Sequence, residues 1–242
     1  MNDCAIDNRA IFAAQNNADL YEAIFEAQAL RFEKHVFAFV AVDIPPPYYA
    51  NVTILDPNHN QAVLSELARI TLRSEGALAV KDSFCQLELG QNGFKTVFDA
   101  SWIWRDPRFV TMPDEWHVIQ NSVQLAQWEQ AWKENGSPTE GRMFPDTLLD
   151  NPRVNFLGTF SEGRYTAGCI ANLSNTCIGL SNIFAEMPSV KNFGDAANSV
   201  ASLDCARAVV GYEAGLTLDF AETHGFEPTG DLRVLIARDA KF

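Results

Sequence analysis

The chain has 242 residues, 47% hydrophobic and 20% charged, with a formal net charge of −13. That length buries a core without disulfide or metal staples. The acidic balance excludes general nucleic-acid binding, which relies on Lys and Arg to displace counterions. No apolar run reaches the roughly 18 residues that cross a bilayer, and no basic segment followed by an apolar run opens the chain. The expected location is the cytoplasm, with neither a nucleic-acid nor a membrane partner.

Cysteine and histidine usage points away from metal. Cys4, Cys85, Cys169, Cys177 and Cys205 form no CxxC pair, and His35, His59, His117 and His224 are far apart. No structural zinc, disulfide framework or other metal is expected. Cys169 and Cys177 sit in apolar runs and read as small buried thiols.

In chain order, the spacing predicts a helix over 10–32, with Leu20, Ile24, Ala27 and Phe32 near one face. The apolar run 36–42 is short enough for a buried strand. Pro45-Pro-Pro-Tyr48-Tyr49 breaks it as a rigid turn, and 51–55 is a further strand. Helical spacing returns over 60–73, with Gly76 just beyond. A short strand at 77–80 and a long β run from Gly93-Phe94 to Arg105 complete a first unit, 1–110. The Trp residues at 102, 104, 116, 128 and 132 read as core or interface.

The second unit, 111–242, opens with a strand over 115–120 and a helix over 123–132. A brief helical turn is expected at 147–149. Runs at 155–160, 164–172 and 177–184, separated by turn residues, predict a three-stranded antiparallel meander. A loop carrying Pro188-Ser-Val-Lys191-Asn192-Phe193-Gly194-Asp195-Ala196 follows. Then come a helix over 196–207, a strand over 208–213, a helix over 216–223 closed by Gly225, and a β segment over 226–238. Gly93-Phe94…Asp99 echoes Gly225-Phe226…Asp231, and both lead into Arg-Asp. The first unit is therefore read as a shortened copy of the second.

From about Glu115 to Arg238, this order of elements resembles the GNAT superfamily of N-acetyltransferases. Their loop, roughly P-x-x-[QR]-x-x-G-x-[GA], matches Pro188, Lys191, Gly194 and Ala196. Gly225-Phe226 matches the Gly-Phe that commonly precedes their final strands. The resemblance implies an α+β fold: a mixed, mostly antiparallel sheet flanked by helices. It also implies transfer of an acyl group, acetyl in the usual case, from acyl-coenzyme A to an amine-bearing small molecule or peptide. Homo-oligomerisation is left open.

By the same resemblance, Lys191, Asn192, Phe193, Gly194, Asp195 and Ala196 would hold the pyrophosphate at a helix N-terminus. Backbone at Phe184 and Glu186 would meet the pantetheine arm, one N–H facing the thioester oxygen. The small Gly194 and Ala196 would allow close approach. Glu213, ending its strand, is the candidate base; Tyr212 is the candidate acid, on the opposite face by strand alternation.

Two departures stand out. Lys191 replaces Arg or Gln and loses fork geometry. Ala221 occupies the position, four before Gly225, where many GNAT enzymes carry an acidic Tyr. The alternative reading is a catalytically inactive GNAT-fold module that binds coenzyme A or another ligand for regulation.

Overall fold

A computed structural model describes residues 6–73 and 76–242, so Cys4 lies outside the described residues. Helix α1 (Asn8–Ala27) starts where the Asp7 carboxylate accepts the Arg9 amide at 2.8 Å. That bond satisfies a donor with no partner inside the helix. The chain then forms β1 (Phe32–Lys34), β2 (Ala38–Ala41), β3 (Val52–Ile54), α2 (Asn60–Thr71), β4 (Leu78–Asp82) and β5 (Lys95–Arg105). The expected first helix thus ran too far: Phe32 is a strand residue whose ring stacks on Phe39 at 5.0 Å.

The second half runs β6 (Trp116–Val118), α3 (Ser122–Glu134), β7 (Val154–Ser161), β8 (Arg164–Leu173) and β9 (Cys177–Ala185). It continues through α4 (Val190–Leu203), β10 (Ala208–Glu213), α5 (Leu216–Thr223) and β11 (Glu227–Ala237). The meander and α5 lie where the sequence puts them. Helix α4 starts six positions before the expected Ala196. The Ser189 hydroxyl accepts the Asn192 amide at 3.2 Å, which caps the helix there. Phe193, Ala196, Ala197 and Val200 then form one buried stripe. The segment from Lys191 to Ala196 is therefore helix rather than loop.

Helix α5 stops by a left-handed cap. Gly225 takes φ 80°, its amide donates to the Glu222 carbonyl, and the Phe226 amide donates to Ala221. This paired closure needs a residue without Cβ strain at that position.

Among the described residues, eleven strands join one sheet, in the order β1-β2-β3-β4-β11-β5-β10-β9-β8-β7-β6. Only β3/β4 and β9/β10 are parallel; every other neighbour is antiparallel. Strand β11 lies between β4 and β5, so each half of the chain lends its last strand to the other. The directions read alike outward from the β11/β5 centre. The offset carrying Gly93 to Gly225 also carries Asp99 to Asp231 and Ser101 to Arg233. In the sheet, Asp99 pairs with Arg233 and Ser101 with Asp231.

Alternate strand residues face opposite layers. Phe39, Phe156, Ile170 and Phe184 pack under α1 and α3, and Trp102 and Val210 pack under α1. Val40 and Val80 pack under α2, while Cys169, Ile178 and Val209 pack under α4 and α5. The Phe184 ring meets Trp128 edge-on at 5.1 Å. Such a pair contributes about 0.5–1.5 kcal/mol beyond its buried area and anchors the end of β9. Cys169 and Cys177 are fully buried thiols. Among the described residues, no helix is long and apolar enough to cross a membrane.

Candidate functional site

The site begins where β9 and β10 part. They pair only over Cys177–Gly179 and Ala208–Val210. They still touch one step on, where a Cβ on Gly211 would sit 2.6 Å from the Leu180 carbonyl oxygen. Beyond that point Tyr212 and Glu213 pair only with β5, and β9 pairs only with β8. A bulge drives the separation. Ile170 pairs with Ser181 but Gly168 with Phe184, leaving one extra residue on β9, and Asn182 takes φ 52°. A bulge bends its strand and increases local twist.

The direction of the β9 amides corrects one expectation. The Glu186 amide donates to the Thr166 carbonyl at 2.9 Å, so it is consumed by β8. Antiparallel alternation puts Phe184 in the same phase. The backbone groups facing the opening therefore belong to Ile183 and Ala185. The Glu186 side chain is turned to Arg164, at 2.5 Å.

A cavity of about 620 Å³ runs through this opening. Phe193, Asn192, Ser189, Thr217 and Phe220 line it on the α4/α5 side. Asn16, Asn17 and Tyr21 of α1 line it on the other side, with Tyr48 and Tyr49, Trp132 and Asn172. The Pro45–Tyr49 turn supplies a wall: Tyr49 is buried, and the Tyr48 hydroxyl donates to the Pro138 carbonyl at 3.0 Å. Glu213 is the only charged side chain lining the cavity among the described residues.

The α4 N-terminus reaches the cavity through Ser189, Asn192 and Phe193. The other expected phosphate contacts are differently employed. Lys191 is exposed and bonded to Asp195 at 2.6 Å, which sets a negative charge beside its own. Ala196 is fully buried in the layer between α4 and the sheet. A Cβ on Gly194 would run into the His224 ring. The small size of Gly194 and Ala196 therefore serves helix packing. Val190 and Lys191, the first two helical residues, precede the capped Asn192 amide, and helix geometry offers their N–H groups no partner within α4.

Glu213 and Tyr212 end β10 on opposite faces, as expected. Burial pushes the Glu213 carboxyl up to about 7, with the nearby Thr217 hydroxyl opposing the rise. Tyr212 faces the α1 layer, its ring edge-on to Trp102 at 5.5 Å. Ala221 is fully buried in the α4/α5 layer, so α5 offers no phenol to the site at that position.

Sequence reasoning missed the α1 side of the cavity. Asn16 and Asn172 bind each other: each carboxamide donates to the other residue's carbonyl, at 3.1 and 2.8 Å. Two adjacent asparagines inside an Ala-rich helix were the available signal, since buried amides demand partners. Lys81 was also missed. It is 2% exposed and donates to the Asn17 carbonyl oxygen at 2.9 Å. Among the described residues, one group of candidate metal ligands does converge, at Glu33, His35 and Glu66. The Arg69 guanidinium lies among them, bonded to Glu66 and, at 2.7 Å, to Glu33.

Solved structures share this fold. The chain is similar to a GCN5-related N-acetyltransferase from Kribbella flavida, with TM-score 0.65 and 10% identity over 93% of this chain and 95% of that one. It is similar to a tandem GNAT protein from the clavulanic acid biosynthesis pathway, with TM-score 0.53 and 10% identity over 85% and 80%. It is also similar to Saccharomyces cerevisiae N-myristoyltransferase with bound myristoyl-CoA, with TM-score 0.53 and 11% identity over 83% and 66%. No protein-family model and no curated protein sequence matches the chain. The chain therefore has the GNAT N-acetyltransferase fold.

Proposed function

We propose that this protein transfers an acyl group from acyl-coenzyme A to the amine of a small molecule or peptide. The observation that carries this reading is the cavity through the β9/β10 opening, reached from both faces, with Glu213 inside it. The α4/α5 side fits the donor. Its requirements are an open strand edge for the pantetheine arm and helix amides for the pyrophosphate; Ile183, Ala185, Val190 and Lys191 supply them. The acceptor enters from the α1 side, and its amine meets the thioester at the opening itself, where Glu213 and Tyr212 end β10 on its two faces.

In this reading Glu213 takes a proton from the amine nitrogen, whose unperturbed pKa is about 10. A carboxyl near 7 is matched to proton exchange at neutral pH. The nitrogen attacks the thioester carbon and the carbon–sulfur bond breaks. The departing sulfur takes a proton from the Tyr212 hydroxyl, which is later restored from solvent. The amide facing the opening at Ala185 or Ile183 steadies the carbonyl oxygen as it gains charge.

Residues 1–110 would act as an accessory unit, a shortened relative of 111–242, that closes the acceptor side with α1. The reciprocal register of β5 and β11 supports that reading.

A second reading keeps coenzyme A binding without turnover. It is favoured by Ala221 and by the pairing of Lys191 with Asp195. Thermal denaturation with acetyl-coenzyme A tests both. Ligand at 100 times its Kd should stabilise by about 2.7 kcal/mol. No shift at millimolar ligand overturns both readings. A shift without thiol release across an amine panel leaves only the second.

A further inference from the structure

Lys81 belongs to β4, and Tyr212 to β10, with β11 and β5 between them. Their side chains nevertheless meet over the α1 face. The Lys81 ammonium lies 4.4 Å from the Tyr212 ring centre and 5.0 Å from that of Tyr21. The register explains the meeting. Tyr212 pairs with Trp102 and Lys81 with Val234, and the offset that relates the two halves carries Trp102 to Val234. The two side chains thus occupy matching places on either side of the β11/β5 centre and lean toward it.

Among the described residues, no carboxylate forms an ion pair with this ammonium. It donates to Asn17, and two phenols face it: Tyr21 from α1 and Tyr212 from β10. Glu213, the only acidic side chain lining the cavity among the described residues, is on the other face of β10. A buried charge without an ion-pair partner is normally removed or paired. Here it is held by two ring faces and one amide oxygen, directly behind the cavity wall formed by Asn17, Tyr21 and Tyr212.

We propose that Lys81 is a positioning residue for acyl transfer: its ammonium orients the Tyr212 phenol and stabilises the phenolate left when Tyr212 protonates the departing thiolate. This rests on the acyl-transfer reading above. It also answers the gap at Ala221, because the acid then comes from β10 and its counter-charge from the other half of the chain. The proton balance is complete: the phenol O–H breaks, the thiol S–H forms, and the negative charge passes from sulfur to a phenolate beside a cation. Burial holds the Lys81 pKa below its ordinary value, and the neighbouring Tyr212 opposes that fall.

The test has a readout that does not need turnover. Urea denaturation of the native protein, Lys81→Met, Tyr212→Phe and the double variant reads the coupling between the two side chains. The double variant should cost less than the sum of the single ones, and strict additivity overturns the proposal. Where an amine is turned over, Lys81→Met should lower kcat about tenfold with KM nearly unchanged, and should add nothing in a Tyr212→Phe background. Asn17→Asp, which keeps Lys81 but gives it a carboxylate, should lower kcat the same way and covers the case in which Lys81→Met does not fold. A raised acceptor KM at constant kcat would instead assign Lys81 to holding the acceptor. If the two side chains couple yet no amine is acylated, the acyl-transfer reading fails and with it the catalytic role, while the electrostatic pairing is established separately.

Discussion

The His224 imidazole, just past the end of α5, donates from Nε2 to the Val190 carbonyl in the first turn of α4 at 2.7 Å. The ring fills the space that a side chain on Gly194 would need. Gly194→Ala should therefore destabilise by about 1–3 kcal/mol, the usual range for overpacking. In a His224→Ala background the same change should cost much less. Urea denaturation of the four proteins reads this coupling; simple additivity would show that the ring is not the obstacle.

The α4 amides can be tested without harming the helix. Proline is favoured at the first helical position, and Ser189 before it is already extended, at φ −153° and ψ 161°. Val190→Pro should leave the melting temperature unchanged or slightly higher. It removes one N–H from the expected phosphate site, so coenzyme A affinity should fall about tenfold, the worth of a hydrogen bond to a charged group. Unaltered affinity by calorimetry places the phosphates elsewhere.

Asp195 holds Lys191 at 2.6 Å and adds negative charge beside that site. Asp195→Asn should tighten coenzyme A binding a few-fold at low salt. The gain should vanish near 1 M salt, where the Debye length is about 3 Å. A gain that persists at high salt would rule out charge as its origin.

Glu213 links activity to stability. Its carboxyl is raised by burial from 4.5 to about 7, so between those values the folded state binds more protons than the unfolded chain. Stability is then greatest below pH 4.5, as far as this group is concerned, and declines as pH rises toward 7. The loss is on the order of 2–3 kcal/mol. Glu213→Gln should abolish that slope and be the more stable protein at pH 8. Activity should run the other way, rising through an acid limb near pH 7 that the variant lacks. A variant with native turnover at pH 8 would exclude Glu213 as the base.

What the sequence made legible was local. The meander, β10 and α5 carry their own periodicity and turn residues, and Glu213 could be placed at a strand end from alternation alone. The start of α4 was hidden because Val190, Asn192 and Gly194 are weak helix formers; the cap from Ser189 to Asn192 and the buried stripe behind it override them. The orientation of the Phe184 and Glu186 amides depends on a bulge at Asn182, a non-glycine residue in a left-handed conformation that no residue pattern announces. Lys81 falls just past the strand expected at 77–80, and its burial arises only when β4 and β10 are brought to matching places around β11 and β5. Long-range pairing of that kind leaves no periodic trace in one sequence.

The exchange of final strands has a consequence for how the sheet is assembled. Strands β4 and β5 are never neighbours. Until residues 227–237 have been made, the first half lacks the strand that bridges β4 to β5, and the second half stops at β10 with no partner beyond β5. The sheet must close at its middle, by insertion, rather than grow outward from an edge. Fragments 1–110 and 111–242 should each remain incomplete alone, and reconstitute one sheet when mixed.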